Sequence, residues 1–383
     1  MKQSTLVLLT AAVVATTSCG AALAADLTLG LISNRTGPTS DIGIPHADGV
    51  LDAWKWQNQR GGIGGHTIEI AEIECGYSVE CTRDAFTFLA EEEEVPLIHG
   101  FGTPDSIAVI PLSNRTQTVY MPLSYAEELV DAENAPYMFV TNADYSTAGR
   151  SAVRYVKAQG GSLALARYPE GFGIAPIPAI KSEATILGVE IAAEIDLDYV
   201  PTDAVEEVLQ IKESGATHIW LGNTNTAMSV LAAELERQSV DAKIIGNIYA
   251  GDEAFIENSG LLAEGHLAMY GSVSLGEDDT PMIDEIKKVG HGDINNTHYI
   301  RGWAQGLLAG AAIEQALSNA NGLGELTGDT LRQAMYELDQ LSPGGLVPPI
   351  SFSPDDHRPN LVGDVYRVEN GRWAKHWRHT LAR

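Results

Sequence analysis

Hydroxyl-bearing residues gather at two points where apolar runs of the chain end. Thr103 follows Leu97-Ile98-His99 and the short turn Gly100-Phe101-Gly102, at the place where a helix would begin. Ser124 and Tyr125 follow a second strand-like run, Thr118–Leu123. Hydroxyls and free N–H groups at such positions can hold an anionic group such as a carboxylate. The intervening residues read as a helix over Ser106–Arg115, with Ile107, Ile110 and Pro111 toward one side. In an open α/β sheet, two neighbouring strand ends of this kind frame a ligand crevice. These residues are read as half of a binding pocket, although on their own they could equally be helix caps.

Other chemistries find little support. There is no Gly-x-Ser-x-Gly elbow and no His-Glu-x-x-His pair, so no catalytic residues are assigned and an enzyme is not expected. His376 and His379 read as surface residues, and Asp355-Asp356-His357 as a structural turn bounded by prolines. The cluster Gly61-Gly62-Ile63-Gly64-Gly65 lacks a following Lys-Ser/Thr and comes after a helix, so it reads as a chain reversal and not as a phosphate loop. No metal site or cofactor is expected.

The sequence of 383 residues carries a formal charge of −27. That argues against nucleic acid or an anionic membrane surface as a partner. It does not argue against a small ligand, whose pocket can have a local field of its own. Lys2, the apolar run Leu6–Val14 and Ala22-Leu23-Ala24 form an export signal expected to be cleaved after Ala24. Cys19 offers a lipoprotein alternative, but Thr16-Thr17-Ser18 is a poor acylation context. Cys75 and Cys81 remain in the mature chain. In an oxidising compartment they are expected to form a local disulfide.

The elements that must position the hydroxyls follow in order. Asp26–Ile32 reads as a strand and is followed by the turn Asn34–Pro38. Ala47, Val50, Leu51 and Trp54 give a helix face, Thr67–Ile73 a strand, and Ala85, Phe88 and Leu89 another helix. Pro136–Thr141 reads as a strand leaving this first unit. The pattern then restarts with a helix over Ala148–Ala158 and strands Ser162–Arg167, Gly188–Ile195, Thr217–Leu221, Lys243–Ile248 and His266–Gly271. Between them, Val205, Val208 and Leu209 are expected to face a core, as are Met228, Leu231 and Leu235. Helices over Tyr299–Leu317 and Thr330–Leu341, then a hairpin of Val362–Val368 with Arg372–Trp377, complete the chain. Alternating strands and helices imply parallel sheets covered on both faces.

Together, Thr36-Gly37-Pro38, Asn58–Gly65, Gly100–Ala108, Ala263-Glu264-Gly265-His266 and Gly344–Asn360 resemble the type I, leucine-binding class of periplasmic solute-binding proteins that serve ABC importers. The resemblance spans nearly all of the mature chain. It implies two doubly wound, Rossmann-like lobes joined by a three-crossing hinge, near Asn142–Tyr145, Tyr270–Leu275 and Pro343–Ser351. The lobes would comprise residues 25–143 with 274–345, and 144–273 with 346–383. It also implies a periplasmic monomer that closes on a small ligand and is read by a membrane permease. The ligand carboxylate would meet Thr103, Ser124 and Tyr125. Ile42, Phe172 and Thr224 would line the pocket, with Tyr145 at the first crossing.

One position departs from the pattern. Where amino-acid-binding relatives often carry an acid for the ligand's ammonium, this chain has Ile248, flanked by Asn247 and Tyr249. A buried ammonium without a partner costs several kcal/mol. Either Asp252 or Glu253 reaches the pocket and the ligand is a branched-chain or other hydrophobic amino acid, or the ligand has no free amine. In the second case it would be an aromatic carboxylate, an amide or urea, taken up or sensed.

Overall fold

The computed structural model describes residues 26–273, 280–292, 294–320 and 322–382. The export signal, with Lys2, Cys19 and the cleavage site after Ala24, lies outside the described residues. So does the end of the second crossing, beyond Val273.

The first unit alternates β1 (Leu27–Ser33), α1 (Ser40–Gln59), β2 (Ile68–Glu74), α2 (Val79–Thr87), β3 (Leu97–His99), α3 (Thr103–Thr116) and β4 (Val119–Met121). The second runs α4 (Tyr145–Gln159), β5 (Leu163–Arg167), α5 (Ile177–Leu187), β6 (Ile191–Asp196), α6 (Val205–Ser214), β7 (His218–Gly222), α7 (Asn225–Arg237), β8 (Lys243–Gly246), α8 (Glu253–Ser259) and β9 (Leu267–Met269). Helices α9 (Pro281–Val289), α10 (Thr297–Asn319) and α11 (Gly328–Glu337) follow, then the strands β10 (Val362–Val368) and β11 (Trp373–Thr380).

Among the described residues the strands form two sheets, ordered β2-β1-β3-β4 and β11-β10-β9-β8-β7-β5-β6. All neighbours are parallel except at β10, which runs antiparallel to both β9 and β11. The strand order reverses between β1 and β3 in one sheet and between β5 and β7 in the other. Ligand crevices form outside the strand C-termini at such points. The loops after β1 and β3 and those after β5 and β7 therefore supply the two walls of the site described below.

Helices α10 and α11 return to the first sheet. Buried Trp54, Tyr299, Trp303, Leu308 and Leu331 share one core with Leu29 and Leu97. Helices α1 and α10 approach closely because glycines face each other. A Cβ at Gly49 would lie 2.2 Å from the Tyr299 carbonyl oxygen, and one at Gly302 the same distance from that of His46. Leu346, Val347, Ile350 and Phe352 also enter this core. The sequence reading sent the chain into the second lobe from residue 346; instead it leaves the first core only after Phe352.

Three further expectations change. Helix α3 buries Ser106, Val109, Leu112 and Ser113, whereas Ile107 and Ile110 are half-buried and Pro111 is exposed. On α6, Val208 and Ile211 face the core, and Val205 and Leu209 are exposed. Residues 136–141 make one parallel bridge, Tyr120 to Met138, and not a full strand. Turns over residues 132–134 and 136–137 lead directly into that bridge.

Candidate functional site

Cys75 and Cys81 are joined in a disulfide. The loop they close carries Tyr77 with φ +66°, and the Tyr77 N–H donates to Asn34 Oδ1 at 2.7 Å. The Tyr77 ring then stands edge-on to Phe101, 6.0 Å between centroids. It also lies over Gly102, where a Cβ would approach a ring carbon to 2.0 Å. Only a glycine fits beneath that ring. Gly102 is the N-cap of α3, and Asp105 in the first turn accepts from its N–H at 3.2 Å. Burial raises the Asp105 carboxyl to about 6.

Thr103, the first residue of α3, opens a cluster of hydroxyls. Its Oγ1 lies 2.8 Å from Ser124 Oγ and 3.2 Å from the Tyr145 hydroxyl. The Tyr145 hydroxyl is 2.7 Å from that of Tyr249, which donates to the Leu123 carbonyl at 2.5 Å. Thr103 and Leu123 come from the first lobe and Tyr249 from the second, so this chain of bonds joins the two walls. The α3 N-terminus adds a positive partial charge at the same place. Burial raises the Tyr145 and Tyr249 hydroxyls, so both stay neutral donors.

The second lobe supplies aromatic rings. Phe172 stands edge-on to Tyr249 at 5.3 Å and to Tyr199 at 6.3 Å. Thr224, the N-cap of α7, makes no side-chain capping bond and lines the cleft. Ile42, Thr103, Phe172, Thr224 and Tyr249 are thus brought together on one cleft, along with Thr39, Tyr77, Phe101, Leu123 and Tyr199. The walls close to within about 20 Å³ of room for the centre of a water molecule. Among the described residues, no charged side chain lines the cleft.

Ser124 and Tyr145 lie just beneath that lining, within the hydroxyl cluster. Tyr125 is deeper still, its hydroxyl accepting from Asn142 Nδ2 at 3.0 Å. Ile248 does not line the cleft: its side chain faces Gly271 and a separate cavity behind it, and its carbonyl accepts from Arg301 Nη1 at 2.8 Å. Sequence reasoning missed Tyr77 and Tyr199. Tyr77 was signalled by its place inside the Cys75–Cys81 loop, whereas Tyr199, beyond a sheet-edge strand, carried no signal.

The two acids considered for an ammonium are committed elsewhere. Asp252 caps α8 by accepting from the Phe255 N–H at 3.1 Å, and also accepts from Asn225 Nδ2 at 2.7 Å. Its Oδ2 lies 3.3 Å from His298 Nε2. Glu253 accepts from the Tyr270 hydroxyl and from the Thr297 N–H at the start of α10. Burial raises Asp252 to about 6 and Glu253 to about 7. Arg301, fully buried on α10, also donates to the Tyr270 carbonyl. The acids thus hold the second lobe to α10 and turn away from the cleft. Asp41 does reach the rim, 3.3 Å from Asn225 Nδ2.

The fold and cleft can be set beside known proteins. Comparison of the sequence with curated proteins returns no match. Among solved structures, a branched-chain amino acid ABC transporter protein from Thermus thermophilus with bound valine superposes with a TM-score of 0.86 at 22% identity, covering 93% of this chain and 97% of its own. A solute-binding protein from Rhodopseudomonas palustris in complex with 4-hydroxybenzoate gives 0.79 at 19%, covering 92% and 97%. A fatty acid ABC transporter substrate-binding protein from Thermomonospora curvata gives 0.79 at 20%, covering 91% and 90%. These likenesses establish a shared two-lobed α/β fold. The family model described as periplasmic binding protein matches residues 26–372, and the chain therefore belongs to the periplasmic binding protein family, with the type I fold of ABC-transporter solute-binding components.

Proposed function

We propose that this protein is the periplasmic binding component of an ABC importer for a small organic acid without a free amine, an aromatic or branched aliphatic carboxylate. One observation carries the reading. The cleft joins a hydroxyl cluster at a helix N-terminus to a wall of aromatic rings, with no carboxylate on its lining among the described residues. Hydroxyls and the helix terminus suit the acid group, and the rings suit its apolar body. An ammonium carried into that cleft would be buried unpaired, at a cost of several kcal/mol. A micromolar affinity is only about −8 kcal/mol, so that loss would abolish useful binding. In this reading the Tyr249 hydroxyl withdraws from Tyr145 and Leu123 as ligand enters, and the ligand's oxygens take its place. The lobes then close, and the permease reads the closed form. The family, with the signal segment read in the sequence, supports export to the periplasm.

The known neighbours include a valine complex and a 4-hydroxybenzoate complex, and Asp41 at the rim gives the amino-acid reading its own observation. A ligand ammonium could meet that carboxylate if it lay at the cleft mouth. A thermal-shift panel separates the two readings: leucine and valine, their keto acids, benzoate- and cinnamate-type acids, short amides and urea. Ligand at a hundred times its dissociation constant adds about 2.7 kcal/mol of stability. Shifts with keto or aromatic acids and none with leucine or valine are expected. A leucine shift that disappears in Asp41→Asn would replace this reading with the amino-acid one.

A further inference from the structure

Behind the cleft, beyond Tyr145 and Phe172, lies a second cavity where the passages between the lobes converge. Asn142 reaches it from the first passage, Gly271 from the second and Asn360 from the third, with Trp220 of β7 on its wall. About 540 Å³ lies between its walls, counting the mouth, and the centre of a water molecule can reach about 30 Å³ of it.

Three polar groups on this wall lack hydrogen-bond partners: Asn142 Oδ1, Trp220 Nε1 and Asn360 Nδ2. Their residues are 1%, 1% and 8% exposed. An unpaired buried group costs about 1–3 kcal/mol, so three around one cavity call for a common partner. The rest of each side chain is already held. Asn142 Nδ2 donates to Tyr125 and Thr141, and Asn360 Oδ1 accepts from the Val362 N–H. Because the Val362 N–H can only donate, the Asn360 amide is fixed with its NH₂ as the unpaired end. The cavity therefore offers two donors and an acceptor amid apolar side chains. Asp364 is the charged residue on its lining; its carboxylate is engaged by Arg378 and disfavours an anion nearby.

We propose that this hinge cavity is a second small-molecule site, for an uncharged amide or phenol on an aromatic body. The ligand's oxygen accepts from Trp220 and Asn360, and its N–H or O–H donates to Asn142. All three passages contribute walls, so occupancy favours one hinge angle. Phe172 borders both cavities, and Tyr145 on the hinge-cavity wall is bonded to Thr103 and Tyr249 of the cleft, so occupancy also alters affinity in the cleft. That coupling rests on the cleft reading above, whereas the site itself does not.

The test is fluorine NMR of the mature protein labelled with fluorotryptophan, titrated with benzamide, phenol and benzoate. The Trp220→Phe variant assigns the reporting resonance. Saturable movement of the Trp220 signal is expected with benzamide or phenol, at least about tenfold weaker in Asn360→Leu, the effect of one lost hydrogen bond. Filling the cavity with Ala148→Leu, which removes no polar group, should also suppress it, while Thr103→Ala leaves it unchanged. A silent Trp220 signal up to the solubility limit would mean that the cavity holds structural waters only, and would overturn the proposal. So would movement lost in Thr103→Ala, or a preference for benzoate. Loss of acid binding in Thr103→Ala, measured separately, reports on the cleft alone.

Discussion

The two walls of the cleft are built from different chemistry. The first-lobe wall offers the Thr103 hydroxyl at the start of α3, backed by Ser124 beyond β4, beside the rings of Tyr77 and Phe101. The second-lobe wall offers Phe172, Tyr199 and Tyr249, large rings that fix shape. The second lobe does carry buried acids beside the cleft, but Asp252 and Glu253 are spent on α8, Asn225 and α10. In the proposed reading the first-lobe hydroxyls meet the ligand's head, and rings from both lobes enclose its body. On the same reading, discrimination against amines comes from where Asp252 and Glu253 point, not from their absence.

That comparison can be broken most severely at Arg301. It is buried beside the Asp252 acid and donates to two carbonyls. Arg301→Met leaves buried charge uncompensated and should cost about 3–5 kcal/mol, read as a lower urea midpoint. A loss under ~1 kcal/mol would mean that the acids need no partner.

Next comes pH. Burial holds Glu253 near 7 and Asp252 near 6, above their ordinary values of 4.5 and 3.8. The folded state thus binds these protons more tightly than the unfolded one. Their contribution to stability is fully present below the ordinary values and is lost as pH rises through about 6 to 7. His46 and His99, held near 3 by burial, act in the opposite direction below their ordinary 6.5. Comparison with Glu253→Gln isolates one group. The stability of wild type relative to this variant should fall by ~2–3 kcal/mol between pH 4.5 and 8. A constant difference would show that Glu253 titrates normally.

Replacing Cys75 and Cys81 together by serine opens the loop that holds Tyr77. A loss of about 2 kcal/mol in stability is expected from the freed chain. Weaker binding of every ligand should accompany it, with the preference among acids unchanged. A changed ranking would give the first-lobe wall a part in shape selection.

The smallest effects divide the walls directly. Thr103→Ala should weaken acids by about 1–2 kcal/mol and leave their amides unaffected, while Phe172→Leu weakens both by about 1 kcal/mol. Isothermal titration of an acid and its amide against wild type, the two single variants and the double variant gives the answer. Equal losses for acid and amide in Thr103→Ala would remove the hydroxyl cluster from carboxylate recognition.

Much of this was legible because local chemistry and global fold agree. The apolar run Leu97–His99 became β3, and Asn370-Gly371 turned the β10–β11 hairpin. Thr103 stood out because a helix start leaves N–H groups unpaired. Illegible features depended on what packs where. Ile107 and Ile110 look like a core face, yet α3 buries Ser106 and Ser113, the latter donating to the Thr118 carbonyl. Val205 and Leu209 have the right spacing but lie on the solvent side of α6.

The sequence by itself determined the doubled α/β pattern, the disulfide loop and the hydroxyls at strand ends, all consequences of short-range periodicity and turn chemistry. Only the tertiary structure decided which residues meet. It turned Ile248 from the cleft toward Gly271, bound Asp252 and Glu253 to partners on α7, α8 and α10, and brought Tyr77 and Tyr199 onto one cleft from opposite lobes. Those outcomes rest on contacts between residues tens to hundreds of positions apart, which no local pattern encodes.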